Sequence, residues 1–146
     1  MKKLLFVVCS LQLLVFFAGC SKEKQTLLKN TWEVESMTLP MDSSNSEFIH
    51  FPAEFFSFDN YYIFTLEFLN KEAFRVRFRS GSVYGKVKIE KNHKISFFEA
   101  DSKGFDDYSE WCFRALANTN YYEIDGERLV LRSAEEEFNF KRKEGL

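Results

Sequence analysis

The sequence predicts an α+β domain: a strand-dominated antiparallel meander sheet with one helix, about residues 107–117, packed on it. Three observations carry this expectation. From Phe64 to Phe97, apolar and polar residues alternate with a period of two, the pattern of half-buried strands. One segment switches to helical spacing, placing Tyr108, Trp111, Cys112, Ala115 and Leu116 on a single apolar face. After it, alternation returns through Asp125-Gly126, a two-residue hairpin signal. Strands and helices do not alternate as a parallel sheet would require.

The chain opens differently. Met1-Lys2-Lys3 precedes the apolar run Leu4 to Ala18, which ends in Phe17-Ala18-Gly19-Cys20. A basic start, a short apolar stretch and small residues before a cleavage point make a secretory signal. The run is short of the roughly 20 residues a membrane span needs. Cys20 directly after Ala-Gly resembles a bacterial lipobox, with Phe17 standing where Leu is usual. The expected organisation is therefore a signal peptide over 1–19, a lipidated Cys20 with a polar stalk over 20–26, and one domain over 27–142. One acyl chain holds a protein only marginally. Lipoproteins of this type carry three, which implies lasting attachment to a bacterial envelope membrane, with the outer membrane favoured.

Removing residues 1–19 from the 146-residue chain leaves 127, enough for one domain with a substantial core. The removed part holds Lys2 and Lys3 and no acid, so 18 basic residues face 22 acidic ones. A mildly acidic domain lacks the basic footprint of nucleic-acid binding. With Cys9 in the signal and Cys20 taken by lipid, Cys112 remains as a lone thiol on the helix face. It reads as a small buried apolar residue.

The elements follow in order. A first strand is expected near Thr31–Leu39, then a loop over Met41 to Ser46. Phe68–Phe74, Leu66–Val76 and Phe64–Phe78 match apolar to apolar across a turn and set Glu67 opposite Arg75. Phe78–Gly85, Val76–Val87 and Phe74–Ile89 extend the meander across Ser80-Gly81-Ser82-Val83. Ile89–Ile95 and Val87–Phe97 close the first set, because a slip of one residue would bury charges. Asp107 with Glu110 has the spacing of a capping box, and Asn118 is the expected end of the helix. In the tail, Tyr122 pairs with Leu129, Leu131 with Phe138 and Leu129 with Phe140.

Residues 105–142 carry a resemblance. Trp111-Cys112-Phe113-Arg114-Ala115-Leu116-Ala117, followed by Tyr121-Tyr122-Glu123-Ile124-Asp125-Gly126-Glu127-Arg128-Leu129-Val130-Leu131, resembles the end of the META/HslJ-like domain. Upstream, Leu27 to Val34, Val83 to Val87 and Lys94 to Phe97 sit where that family has its opening Trp strand and two later strands. Ser80-Gly81-Ser82-Val83 stands in place of the family's Gly-Cys-Asn turn, and Glu99 to Gly104 in place of its Met-Ala-Cys stretch. The resemblance implies a non-enzymatic envelope lipoprotein acting as a binding or interaction module. It transfers no catalytic residue. A lipocalin-like small barrel carrying an apolar ligand is the alternative on the same meander.

The remaining candidates are weighed on chemistry. His50, His93 and Cys112 are not at metal-ligand spacing, so neither a metal nor another cofactor is expected. Glu135-Glu136-Glu137 reads as a solvated hairpin tip. The predicted register sets Arg75 opposite Lys88 and Arg77 opposite Lys86, a basic strand face. Like charges across a strand pair oppose stability. Arg75, Arg77, Lys86 and Lys88 are therefore the candidate face for an anionic partner, either an envelope protein or an anionic lipid, against a merely solvated surface. Phe48, Phe51, Phe55, Phe56, Phe58, Tyr61, Tyr62 and Phe64 crowd one stretch. They predict either a second layer or an exposed contact patch.

Overall fold

The computed structural model describes residues 22–42, 45–56, 63–101 and 106–144. Helix α1 covers residues 22–29. Strands β1 (Thr31–Asp42) and β2 (Asn45–Phe51) follow, then a 3-10 turn at Ala53–Phe56. A meander comes next: β3 (Thr65–Phe68), β4 (Ala73–Arg77), β5 (Ser82–Ile89) and β6 (Ile95–Asp101). Helix α2 (Asp107–Asn118) leads into β7 (Tyr121–Asp125), β8 (Arg128–Arg132) and β9 (Glu137–Arg142).

The strands form one antiparallel sheet in the order β6-β5-β4-β3-β1-β9-β8-β7, with β2 paired to β1. The sheet curls until its edges meet. Lys94 bridges Tyr121, the Tyr122 N–H donates to the His93 carbonyl at 2.9 Å, and the Ile95 N–H donates to the Asn120 carbonyl at 3.2 Å. The result is a β half-barrel. Strand β1 is its spine, pairing with β3 through Thr31–Glu33, with β9 from Trp32 to Thr38, and with β2 from Met37 onward.

The alternation places one face of every strand inside. Trp32, Phe64, Phe74, Phe138, Phe140 and Tyr122 are almost wholly buried. Phe64 lies 5.8 Å from Phe140 and 6.2 Å from Phe138, both edge-on, the offset that aromatic quadrupoles favour. From α2, Cys112, Phe113 and Leu116 are buried against this layer, with Phe113 stacked on Phe74 at 6.2 Å. Half-buried Trp111 meets Phe51 edge-on at 5.8 Å.

Several predicted pairings are present: Phe68–Phe74, Leu66–Val76, Ile89–Ile95, Val87–Phe97, Leu131–Phe138 and Leu129–Phe140. Two are corrected. Phe74 pairs with Gly85 and Val76 with Val83, a slip of four residues from the expected register. Tyr122 pairs with Leu131, a slip of two. Both slips are even, so every side chain keeps its face and the hydrophobic pattern is equally satisfied. The turns decide. Gly126 alone adopts positive φ (59°) in its hairpin, so Gly126-Glu127 is the two-residue loop with glycine first.

The expectation of a single helix is also corrected. Residues 22–29 form a second one, reaching into the run expected as a polar stalk over 20–26. Its sequence is mostly polar, and tertiary packing holds it: Leu27 is fully buried and its carbonyl accepts from Trp32 Nε1 at 3.1 Å. The cap of α2 falls one residue earlier than expected. Asp106, not Asp107, is the N-cap, accepting from the Ser109 N–H at 2.8 Å. Thr119, not Asn118, closes the helix, its N–H and hydroxyl both donating to the Leu116 carbonyl.

The aromatic run divides. Phe56 and Phe64 are buried, Phe51 and Phe55 pack on each other at 4.9 Å, and Phe48 is 53% exposed. Phe58, Tyr61 and Tyr62 lie outside the described residues. Strand β2 extends the sheet beside β1, and Trp111 of α2 lies against Phe51, so part of the run is covered. The expected Met41–Ser46 loop is narrower, since β1 runs to Asp42 and β2 starts at Asn45.

Candidate functional site

The outward faces of β1, β3, β4 and β5 carry two cross-strand rungs of polar side chains. One runs Thr31–Glu67–Arg75–Tyr84. The other runs Lys141–Glu33–Thr65–Arg77–Ser82. These positions alternate with the core residues, so the same period that buries Leu66 and Val76 aims Glu67, Arg75 and Arg77 outward.

In the first rung Arg75 Nε donates to Glu67 Oε2 at 3.0 Å, as the predicted Glu67–Arg75 opposition requires. Its guanidinium also lies 5.9 Å from the centre of the Tyr84 ring, within cation–π range. The hydrogen bonds of Tyr84 and Glu67 raise the Arg75 pKa above its ordinary value. In the second rung Glu33 has Lys141 Nζ at 3.8 Å and Lys143 Nζ at 3.9 Å. Arg77 is different. Its cross-strand neighbours are the hydroxyl residues Thr65 and Ser82 rather than carboxylates.

An open groove of about 690 Å³ runs across both rungs. Its walls include Arg75, Arg77, Arg79 and Lys143 against Glu33 and Glu67, with Thr31 and Thr65 between them. Half-buried Ile63 stands at one end, while Phe64 and Phe78 behind it are buried in the core. Four cations over two carboxylates leave a positive balance. An anion entering here meets a guanidinium able to make a bidentate bond, hydroxyl donors and the half-buried Ile63.

The structure separates the four residues of the predicted basic face. Arg75 and Arg77 line the groove. Lys86 pairs with Glu99, and Lys88 with Glu90 at 2.9 Å, both outside it. The Lys88 ammonium holds the Glu90 carboxyl below the usual carboxylate range. The predicted like-charge oppositions do not occur, because the four-residue slip sets Arg75 opposite Tyr84, Arg77 opposite Ser82 and Lys86 opposite Ala73. Sequence reading put Arg79 on the outward face with Arg75 and Arg77 but not among the four candidates, and it missed Lys143. Arg79 follows the same alternation, but Lys143 lies beyond the last strand and only the β1–β9 pairing brings it near.

Elsewhere, Cys112 is buried with its thiol 4.0 Å from Met37 Sδ, and burial pushes its pKa up to about 12. Glu136, expected at a solvated tip, is instead buried. It accepts from Asn118 Nδ2 at 3.0 Å and from the Ser133 hydroxyl. Among the described residues, no group of three His, Cys, Asp or Glu is placed to hold a metal ion, and no helix is long and apolar enough to cross a membrane. Cys20 lies outside the described residues.

No family model matches the chain, and no curated protein matches it. Among solved structures, it is similar to the crystal structure of a DUF4847 family protein from Bacteroides vulgatus ATCC 8482. The TM-score is 0.62 at 13% sequence identity, covering 84% of this chain and 99% of that one. At that identity the likeness is one of fold.

Proposed function

We propose that this protein is an exported, lipid-anchored, non-enzymatic binding module of the bacterial cell envelope. Its ligand site is the outward groove around Arg77, and its ligand class is an anion with an apolar portion, such as an anionic lipid. The groove carries the proposal: it sets Arg77 between hydroxyl residues, beside Arg75, Arg79 and Lys143, with half-buried Ile63 at one end. The META/HslJ-like reading is kept as part of it, supported by the order of α2, β7, β8 and β9 over the resembling stretch. The lipocalin-like alternative shares the curled sheet, but Trp32, Phe64, Phe74, Phe138 and Phe140 occupy the interior where a carrier holds cargo.

Two measurements test this. Cys20→Ser is expected to abolish metabolic lipid labelling, and labelling that survives removes the anchor. For the groove, the probe is short-chain phosphatidylglycerol below its micelle concentration, followed by amide chemical shifts. Changes are expected at Thr31, Thr65 and Arg77, abolished by Arg77→Glu and retained in Lys86→Glu. Shifts confined to other surfaces, or equal loss in both variants, would defeat the groove as the site.

A further inference from the structure

Helix α1 does not stand away from the barrel. Glu23 Oε2 accepts from His93 Nε2 at 2.6 Å, and Lys24 Nζ donates to the Ile89 carbonyl at 3.3 Å. Both contacts are in the first turn of α1; one reaches the β5–β6 turn and the other the end of β5 that leads into it. His93 is itself fixed from the other side: its ring packs edge-on against Tyr121 at 5.7 Å and Tyr122 at 5.4 Å. Asn92 and His93 hold that turn with positive φ (59° each). The first turn of α1 is therefore fastened where the two edges of the half-barrel meet.

Residue 22 is two positions after Cys20. An extended residue spans at most about 3.6 Å, so Cys20 can lie no more than about 7 Å along the chain from Lys22, the first residue of α1. The side chains around it are basic. Lys22, Lys91 and Lys94 are exposed, and Lys24 is half-buried. The neighbouring carboxylates are engaged, Glu23 by His93 and Glu90 by Lys88. Arg132 lies over the Tyr121 ring at 4.7 Å and pairs with Glu123 at 3.5 Å. A chain with more acidic than basic residues thus concentrates lysines at the point where its anchor leaves.

We infer that the surface formed by the first turn of α1 and the β5–β6 turn rests on the anionic headgroups of the anchoring leaflet, fixing the domain's orientation on the membrane. The inference rests on the lipid anchor proposed above. It goes beyond that anchor, because a flexible stalk would leave orientation free. Lysines near an anionic surface gain from its negative potential, which decays within a Debye length. Contact at this one end leaves the side wall and its Arg77 groove facing away from the bilayer normal.

The test uses the full-length acylated protein on phosphatidylglycerol–phosphatidylcholine vesicles and in neutral detergent. Lysine acetylation by a water-soluble ester is read by mass spectrometry. Lys22 is close to the anchor in any geometry, so Lys91 and Lys94 decide. Their labelling is expected to slow by about fivefold or more on vesicles, the factor set by roughly 1 kcal/mol per lysine near such a surface. Lys86 and Lys141, on the side wall, are expected to label at unchanged rates. Acylated protein in which Lys91 and Lys94 label as fast as in detergent overturns the orientation and leaves the anchor standing. Protein with no acyl mass on Cys20 overturns the anchor, and this surface with it.

Discussion

The ring of Phe74 lies across the backbone of its strand partner Gly85: a Cβ at position 85 would stand 2.7 Å from Phe74 Cε1 and 2.8 Å from Cζ. The ring has no easy retreat. Phe97 meets it edge-on at 5.0 Å and Phe113 stacks on it at 6.2 Å. This contact locks the β4–β5 register, since only glycine fits under the ring. Gly85→Ala is expected to destabilise by about 1–3 kcal/mol, the usual cost of overpacking a filled core. Urea unfolding checks it, and combining Gly85→Ala with Phe74→Leu should recover part of the loss. An unchanged midpoint for Gly85→Ala would mean the ring is not confined.

The cap of α2 offers a one-residue discrimination. Asp106 accepts from the Ser109 N–H and hydroxyl, whereas Asp107 is the first residue of the helix. Asp106→Ala should cost about 1 kcal/mol of stability. Asp107→Ala removes only a first-turn charge, and its cost should be a few tenths by helix-dipole loss. Equal effects in thermal unfolding would refute the assignment.

Cys112 gives a pH dependence with a definite sign. Its folded pKa is raised to about 12 from an ordinary value of 9.0, because burial disfavours the thiolate. Between these values the unfolded chain has lost a proton that the folded chain keeps, so this contribution falls as pH rises from about 9 to about 12. The wild type should therefore lose stability relative to Cys112→Ala over that window, with no relative change below about pH 8. The same burial predicts that the native thiol resists alkylation near neutral pH and reacts only in denaturant. Fast native alkylation would contradict the packing.

Gly126 tests backbone strain without side-chain contact. Its φ is +59°, and a Cβ added there would meet no atom within 4 Å. Gly126→Ala should cost roughly 1 kcal/mol through the left-handed conformation alone. Gly126→Asn should cost less, and a circular-dichroism melt separates the two.

These residues also show what the sequence makes legible. Alternation located β3 to β9 and the inward face of each strand, because burial rewards one parity. It could not separate registers that differ by an even number of residues. That choice depended on the Phe74–Gly85 fit and on the Gly126 turn, which are three-dimensional. Helix α1 was illegible because Leu27 is its one fully buried residue and its other fastenings, Glu23 to His93 and Lys24 to Ile89, are distant in sequence. For the candidate site, Arg75 and Arg77 were legible from the outward period. Lys143 was not, because its position depends on β9 returning to β1. The electrostatic partners changed with the register, turning a supposed row of repelling cations into Glu67–Arg75–Tyr84 and Arg77 between hydroxyls.

The long strand β1 has a consequence for timing. Its central residues are zipped to β9, with Met37 opposite Phe138 and Thr38 opposite Glu137, so the spine of the sheet joins strands about a hundred residues apart in sequence. Such contacts carry a large loop-closure cost and slow folding. A ribosome delivers β1 long before β9 exists. Until then the emerging spine keeps an open edge, so the sheet cannot be completed before the last strand has been made.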